Sequence, residues 1–171
     1  MDKQPVSIIV LTYYRLDFLK TFIEMIHLLT SYPFLLYVIN NAKEDKETIY
    51  FLEKMEKENL IHKHLTTEKN IPLAAALTLA FNTFHDELGE YIITVANDMT
   101  PPIFKPFDWL EMFVNKMESD KDIGCINLKG VRQSYDSFQR KDRPLIEKKI
   151  RETGGELLDK FNNLEKVIHD R

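Results

Sequence analysis

The chain has 171 residues, 44% of them hydrophobic and 29% charged, with a formal net charge of −4 and a pI near 5.8. That length and composition suit one globular domain with a sizeable core and exclude disorder as its organising state. The acidic balance withholds the basic surface a nucleic-acid partner needs, and a single cysteine, Cys125, excludes an intrachain disulfide framework.

Residues 6–12, Val-Ser-Ile-Ile-Val-Leu-Thr, make a nearly continuous β-branched run, the pattern of a strand covered on both faces. Leu19, Phe22, Ile23, Ile26 and Leu29 then fall at helical spacing, predicting a helix over 16–30 that stops at Ser31-Tyr32-Pro33. The stretch between, Thr12-Tyr13-Tyr14-Arg15, is a strand-to-helix loop. Residues 34–39 read as strand two and Asn40-Asn41-Ala42 as a second loop. A charged helix over 44–58 follows, with Ile49, Leu52 and Met55 inward and a solvated Lys/Glu face. Strand, helix, strand, helix implies parallel pairing.

Residues 62–67 alternate as a short strand at the margin of the sheet would. His62 and His64 then share one face, a spacing compatible with a metal but without a recognisable third ligand. Asn70-Ile71-Pro72 opens a helix rich in alanine and leucine over 73–84.

The run Tyr91-Ile92-Ile93-Thr94-Val95 has the composition of a buried central strand, and Pro101-Pro102 cannot continue a ladder. Asn97 and Asp98 therefore belong at its carboxyl end, where open α/β sheets bind ligands. A carboxylate there is the hard oxygen ligand of a divalent cation carrying a diphosphate; the same pair is also ordinary turn chemistry. A helix over 107–117 follows, with Trp109, Leu110, Phe113 and Met117 on its apolar side, then a last strand over 123–128 holding Cys125 as a buried, inert thiol.

Residues 131–143 are polar, and Arg132, Arg140, Lys141 and Arg143 in them read as surface charge or as a clamp on a diphosphate. Leu157, Phe161, Leu164 and Ile168 recur at intervals of four, three and four, an amphipathic helix that packs over the sheet or pairs with a second copy as a homodimer. The chain thus divides into a body, 1–130, and a basic loop with a helical tail, 131–171. The apolar run near the N-terminus is too short for a signal peptide or a membrane span, so the expectation is a cytoplasmic protein.

The order of these parts resembles the family 2 glycosyltransferases. Val-Ser-Ile-Ile-Val-Leu-Thr-Tyr-Tyr-Arg (6–15) is similar to their opening strand and Thr-Tyr-Asn-Arg loop, with Tyr14 in place of asparagine. Val38-Ile39-Asn40-Asn41-Ala42 resembles their Val-Val-Asp-Asn-Gly segment. Lys69–Ala76 resembles Asn-x-Gly-x-x-x-Ala, with Pro72 in place of glycine, and Val95-Ala96-Asn97-Asp98 falls on Asp-x-Asp.

The resemblance implies an A-type fold: a single-domain, Rossmann-like α/β architecture with a mixed, mostly parallel sheet, helices on both faces and a C-terminal helical tail. It further implies transfer of a sugar, with inversion, from a nucleotide-diphosphate sugar, most simply a UDP-sugar, to an unknown acceptor. Asp98 is then the metal ligand for Mg²⁺ or Mn²⁺, and Ala96 replaces the motif's first acid. Thr12, Tyr13, Arg15, Asn40, Asn70 and Asn97 are the candidate substrate-binding residues. Thr12 and Tyr13 lie against base and ribose, Asn40 replaces the aspartate that accepts the uracil N–H, and Asn70 orients phosphate or sugar.

The family's catalytic acid, often in a Glu-Asp pair, has no counterpart after Leu128; Asp136 and Asp142 are loop acids. A nucleotide-sugar-binding scaffold or partner-completed subunit is therefore the rival reading. Nucleotidyl transfer is disfavoured, because residues 11–16 contain no glycine for a phosphate loop.

Overall fold

The computed structural model of the chain describes residues 3–99, 101, 108–126 and 167–168. Four parallel strands, β1 (Val6–Thr12), β2 (Phe34–Asn40), β3 (Lys63–Thr66) and β4 (Ile92–Ala96), form one sheet in the order β3-β2-β1-β4. Helices α1 (Leu16–Leu29), α2 (Lys46–Lys57), α3 (Leu73–Phe84) and α4 (Trp109–Ser119) cover it, with a 3₁₀ turn over His85–Glu87. Among the described residues every pairing is parallel, so the expected antiparallel admixture is not seen there.

Alternation along the strands builds two cores. Val6, Ile8 and Val10 of β1, with Leu36 and Val38 of β2, meet Leu19, Phe22, Ile23 and Ile26 of α1, Phe51, Leu52 and Met55 of α2, and Trp109 and Leu110 of α4. Ile9, Tyr37 and Ile39 point the other way onto Ala76, Ala80 and Phe84 of α3. Fully burying one such side chain contributes about 1.5–3 kcal/mol, so both faces hold the sheet and β1 needs its unbroken apolar run.

Side chains fix the helix starts. Asp45 caps α2 by accepting from the Thr48 N–H at 3.1 Å and the Thr48 hydroxyl at 2.7 Å. Asp108 caps α4 through the N–H groups of Leu110 (2.8 Å) and Glu111 (3.1 Å), and its other oxygen accepts from the N–H groups of Ser31 and Tyr32. One carboxylate thus anchors α4 to the turn after α1, helped by Trp109 Nε1, which donates to Thr30 Oγ1 at 2.8 Å.

Gly89 approaches β1 so closely that its N–H donates to the buried Ser7 Oγ at 2.8 Å, and an added Cβ would lie 2.5 Å from the Pro5 carbonyl oxygen. Gly89→Ala should therefore destabilise the fold by about 1–3 kcal/mol, a fall in Tm of about 2–4 °C per kcal/mol in thermal unfolding. An unchanged Tm would contradict this contact.

Three expectations need correction. The strand at 91–96 is not buried on both sides: β4 is the sheet's edge among the described residues, with Ile93 and Val95 packed on the first core while Ile92, Thr94 and Ala96 are exposed. Residues 123–126 are not a strand, and Cys125 is exposed rather than buried. His62 and His64 do not share a face. His62 meets Tyr37 edge to face and pairs with Glu87 at 3.1 Å, whereas His64 Nδ1 meets Glu56 of α2 at 2.7 Å. His62 precedes β3, so strand alternation does not govern it.

Of the tail only residues 167 and 168 are described; both are helical, and Ile168 is buried in the first core. The basic loop 131–143, with Asp136 and Asp142, lies outside the described residues. No helix among the described residues is long and apolar enough to cross a membrane.

Candidate functional site

All four strands are parallel, so their carboxyl ends meet at one edge. Register aligns Thr12, Asn40 and Thr66 in a single row, and Asn97 follows Ala96, the partner of Leu11. The strand order also reverses at this edge: β2 and β3 step away from β1 on one side, and the chain returns through α3 to place β4 on the other. Such a switch point is where an open α/β sheet leaves a crevice for ligands. The loops after β1 and β4 flank it.

Those loops are joined by Asn97. It is buried, and its Nδ2 donates to Thr12 Oγ1 at 2.9 Å and to the Arg15 carbonyl at 3.1 Å. Thr12 is buried too, and its hydroxyl oxygen is an acceptor in this joint. Beyond it the loop turns outward: Tyr13 and Tyr14 are exposed and pack edge to face, and Tyr14 takes a left-handed φ of 49°. Asparagine tolerates that conformation far better than a bulky tyrosine, so local strain is stored beside the crevice.

Arg15 and Asp98 close the two loops on each other. Arg15 Nη1 donates to Asp98 Oδ2 at 3.2 Å; the Asp98 side chain is only 18% exposed, that of Arg15 55%. Arg15 stands at the N-cap of α1 and makes no side-chain cap hydrogen bond.

Asn40 is wholly buried. Its Nδ2 donates to the Ala42 carbonyl at 3.1 Å, while its Oδ1, like the neighbouring Thr66 Oγ1, has no hydrogen-bond partner among the described residues. Asn41, which sequence reasoning did not single out, is the hub of this edge. Its Nδ2 donates to Asn70 Oδ1 and to the Ile71 carbonyl, each at 2.8 Å, and its Oδ1 accepts from Thr67 Oγ1 (2.8 Å) and the Ile71 N–H (3.1 Å). Asn70 itself is exposed, held at the mouth of α3 by that amide. The signal for Asn41 was the adjacency of two asparagines at a strand end; which of these two buried amides reaches residues 67, 70 and 71 is fixed only by the fold around the end of β2.

The sequence pattern of the family described as Glycosyl transferase family 2 matches residues 7–169. The chain belongs to glycosyl transferase family 2. Among solved structures the family 2 domain resembles TarS of S. aureus, with a TM-score of 0.55 and 18% identity over 77% of this chain and 24% of that one. That likeness is one of fold, and the chain spans about a quarter of the length of that neighbour. No curated protein matches the chain.

Family 2 enzymes commonly use a divalent metal. Among the described residues no group of three or more His, Cys, Asp or Glu side chains converges on one point. Mg²⁺ is ordinarily held by one or two carboxylates together with substrate phosphates and water. Asp98 at the crevice fits an ion delivered on a diphosphate, with phosphates and water supplying its other ligands.

Proposed function

We propose that this family 2 domain binds a UDP-sugar together with Mg²⁺ or Mn²⁺ at the carboxyl edge of its sheet and transfers the sugar, with inversion, to an acceptor hydroxyl. The observation that carries this reading is Asp98 at the switch point, its partly exposed carboxylate facing the β1 loop and the start of α1. A bound divalent ion would neutralise the departing diphosphate. The chain's own groups would do the rest. Tyr13 offers an exposed ring for stacking on the base, Arg15 offers a guanidinium matched to phosphate, and Asn70 stands exposed at the α3 mouth to meet phosphate or sugar.

Asn40 supports a uracil reading in one respect. Its Nδ2 donates one hydrogen to the Ala42 carbonyl and its Oδ1 stays open as an acceptor, the role the family's carboxylate plays toward a ring N–H.

A second reading is favoured by Ala96. With the motif's first acid missing and no base assigned, the domain would bind the nucleotide sugar as a scaffold, or as a subunit whose partner supplies the acceptor site.

Calorimetric titration with UDP, UDP-glucose and nucleotide sugars of other bases, each with and without Mn²⁺, tests the binding step. We expect UDP and UDP-sugars to bind in a Mn²⁺-dependent manner and other bases to bind more weakly. An absence of binding to all of them would remove the nucleotide-sugar reading altogether.

A further inference from the structure

The Arg15–Asp98 pair joins residues 83 apart in sequence, and both main chains are anchored: the Arg15 carbonyl accepts from Asn97, the residue immediately before Asp98. The guanidinium lies over the Phe18 ring, 5.7 Å from its centroid, with its outer side in solvent. Its backbone is fixed and its head is free to swing. The oxygen it holds, Oδ2, belongs to the carboxylate assigned to the metal, and a divalent cation on either oxygen of that carboxylate would stand a few ångströms from the guanidinium's like charge.

We propose that Arg15 is the resident cation of the unliganded site, occupying Asp98 until a metal-bearing nucleoside diphosphate arrives. The diphosphate then takes the guanidinium and the metal takes the carboxylate, so metal and nucleotide bind as one unit. Charge balances in both states. Guanidinium offsets carboxylate before binding; afterwards guanidinium and divalent ion offset the carboxylate and the doubly ionised diphosphate of a nucleotide sugar. Arginine suits the exchange, because its fork matches carboxylate and phosphate alike. This inference rests on the reading of Asp98 as the metal's ligand.

The test is the binding of Mn²⁺ alone, followed by electron paramagnetic resonance of the free ion, beside the binding of UDP alone. Arg15→Gln should bind Mn²⁺ without nucleotide about ten-fold more tightly than the native chain, since a positive charge a few ångströms from the ion is gone. The same variant should bind metal-free UDP several-fold more weakly, and Arg15→Lys, which keeps the charge, should leave Mn²⁺ binding near the native level.

Mn²⁺ binding that is unchanged, weaker or undetectable in Arg15→Gln overturns the proposal. Asp98→Asn, measured in parallel, separates the two ideas. If that variant abolishes Mn²⁺-dependent UDP binding while Arg15→Gln leaves Mn²⁺ binding unchanged, the metal assignment stands and the role of Arg15 falls. If it has no effect on Mn²⁺-dependent binding, the metal assignment fails and the role of Arg15 fails with it.

Discussion

Asp98→Asn should abolish Mn²⁺-dependent binding of UDP, a loss of roughly 100-fold or more, while leaving the fold intact. The amide keeps the size of the side chain and can still accept from Arg15, but it carries no charge for a hard cation. Stability should hardly move, because the ion pair with Arg15 is half in solvent, Arg15 being 55% exposed, and such pairs are worth up to about 1 kcal/mol. The two readouts are a calorimetric titration with and without Mn²⁺ and a thermal melt. Full Mn²⁺-dependent affinity in a normally melting variant would remove Asp98 from the metal's coordination.

Asn41→Ala should produce the opposite pattern, a large loss of stability. The amide of Asn41 makes four hydrogen bonds at a position only 3% exposed, tying the end of β2 to Thr67 and to residues 70 and 71. Removing it leaves the buried Thr67 hydroxyl and the part-buried Ile71 N–H and carbonyl without their partner, while the exposed Asn70 can turn to water. We expect a loss of about 3 kcal/mol, or about 6–12 °C in Tm. Asn41→Asp should be no milder at neutral pH: a carboxylate can accept from Thr67 and Ile71 but cannot donate, and it would set its charge against the oxygens of Asn70 and Ile71. A fall in Tm under about 2 °C for both variants would mean the network contributes little.

Much of this architecture was legible because local patterns carried it. The run at 6–12 and the helix at 73–84 appear with the expected bounds, since unbroken β-branched residues and a proline-opened Ala/Leu stretch leave little ambiguity. What failed depended on strand order. Residues 91–96 are as apolar as 6–12, yet among the described residues β4 takes the edge and β1 pairs on both sides; composition cannot report that order. The two histidines were misplaced for a similar reason, since alternation holds only inside a strand and β3 begins one residue after His62.

At the site, Asp98 was found through its place after an apolar run and before two prolines. Its pairing with Arg15 was not visible, because a contact across 83 residues follows from β1 and β4 being neighbours. Asn97 drew notice as a substrate ligand; its amide donors are spent within the protein, on Thr12 and Arg15. Asp108 escaped notice because capping one helix while bridging to the end of another requires α1 and α4 to be adjacent.

That amide of Asn97 has a kinetic consequence. Because it clasps residues 12 and 15 to the end of β4 in the absence of any ligand, these described parts of the two walls already share one position before a nucleotide docks. What remains to move is the Arg15 side chain, and exposed side chains change rotamer in picoseconds to nanoseconds. Among the described residues of these walls, ligand capture then follows diffusional encounter, with the swing of one side chain as the step that accompanies it.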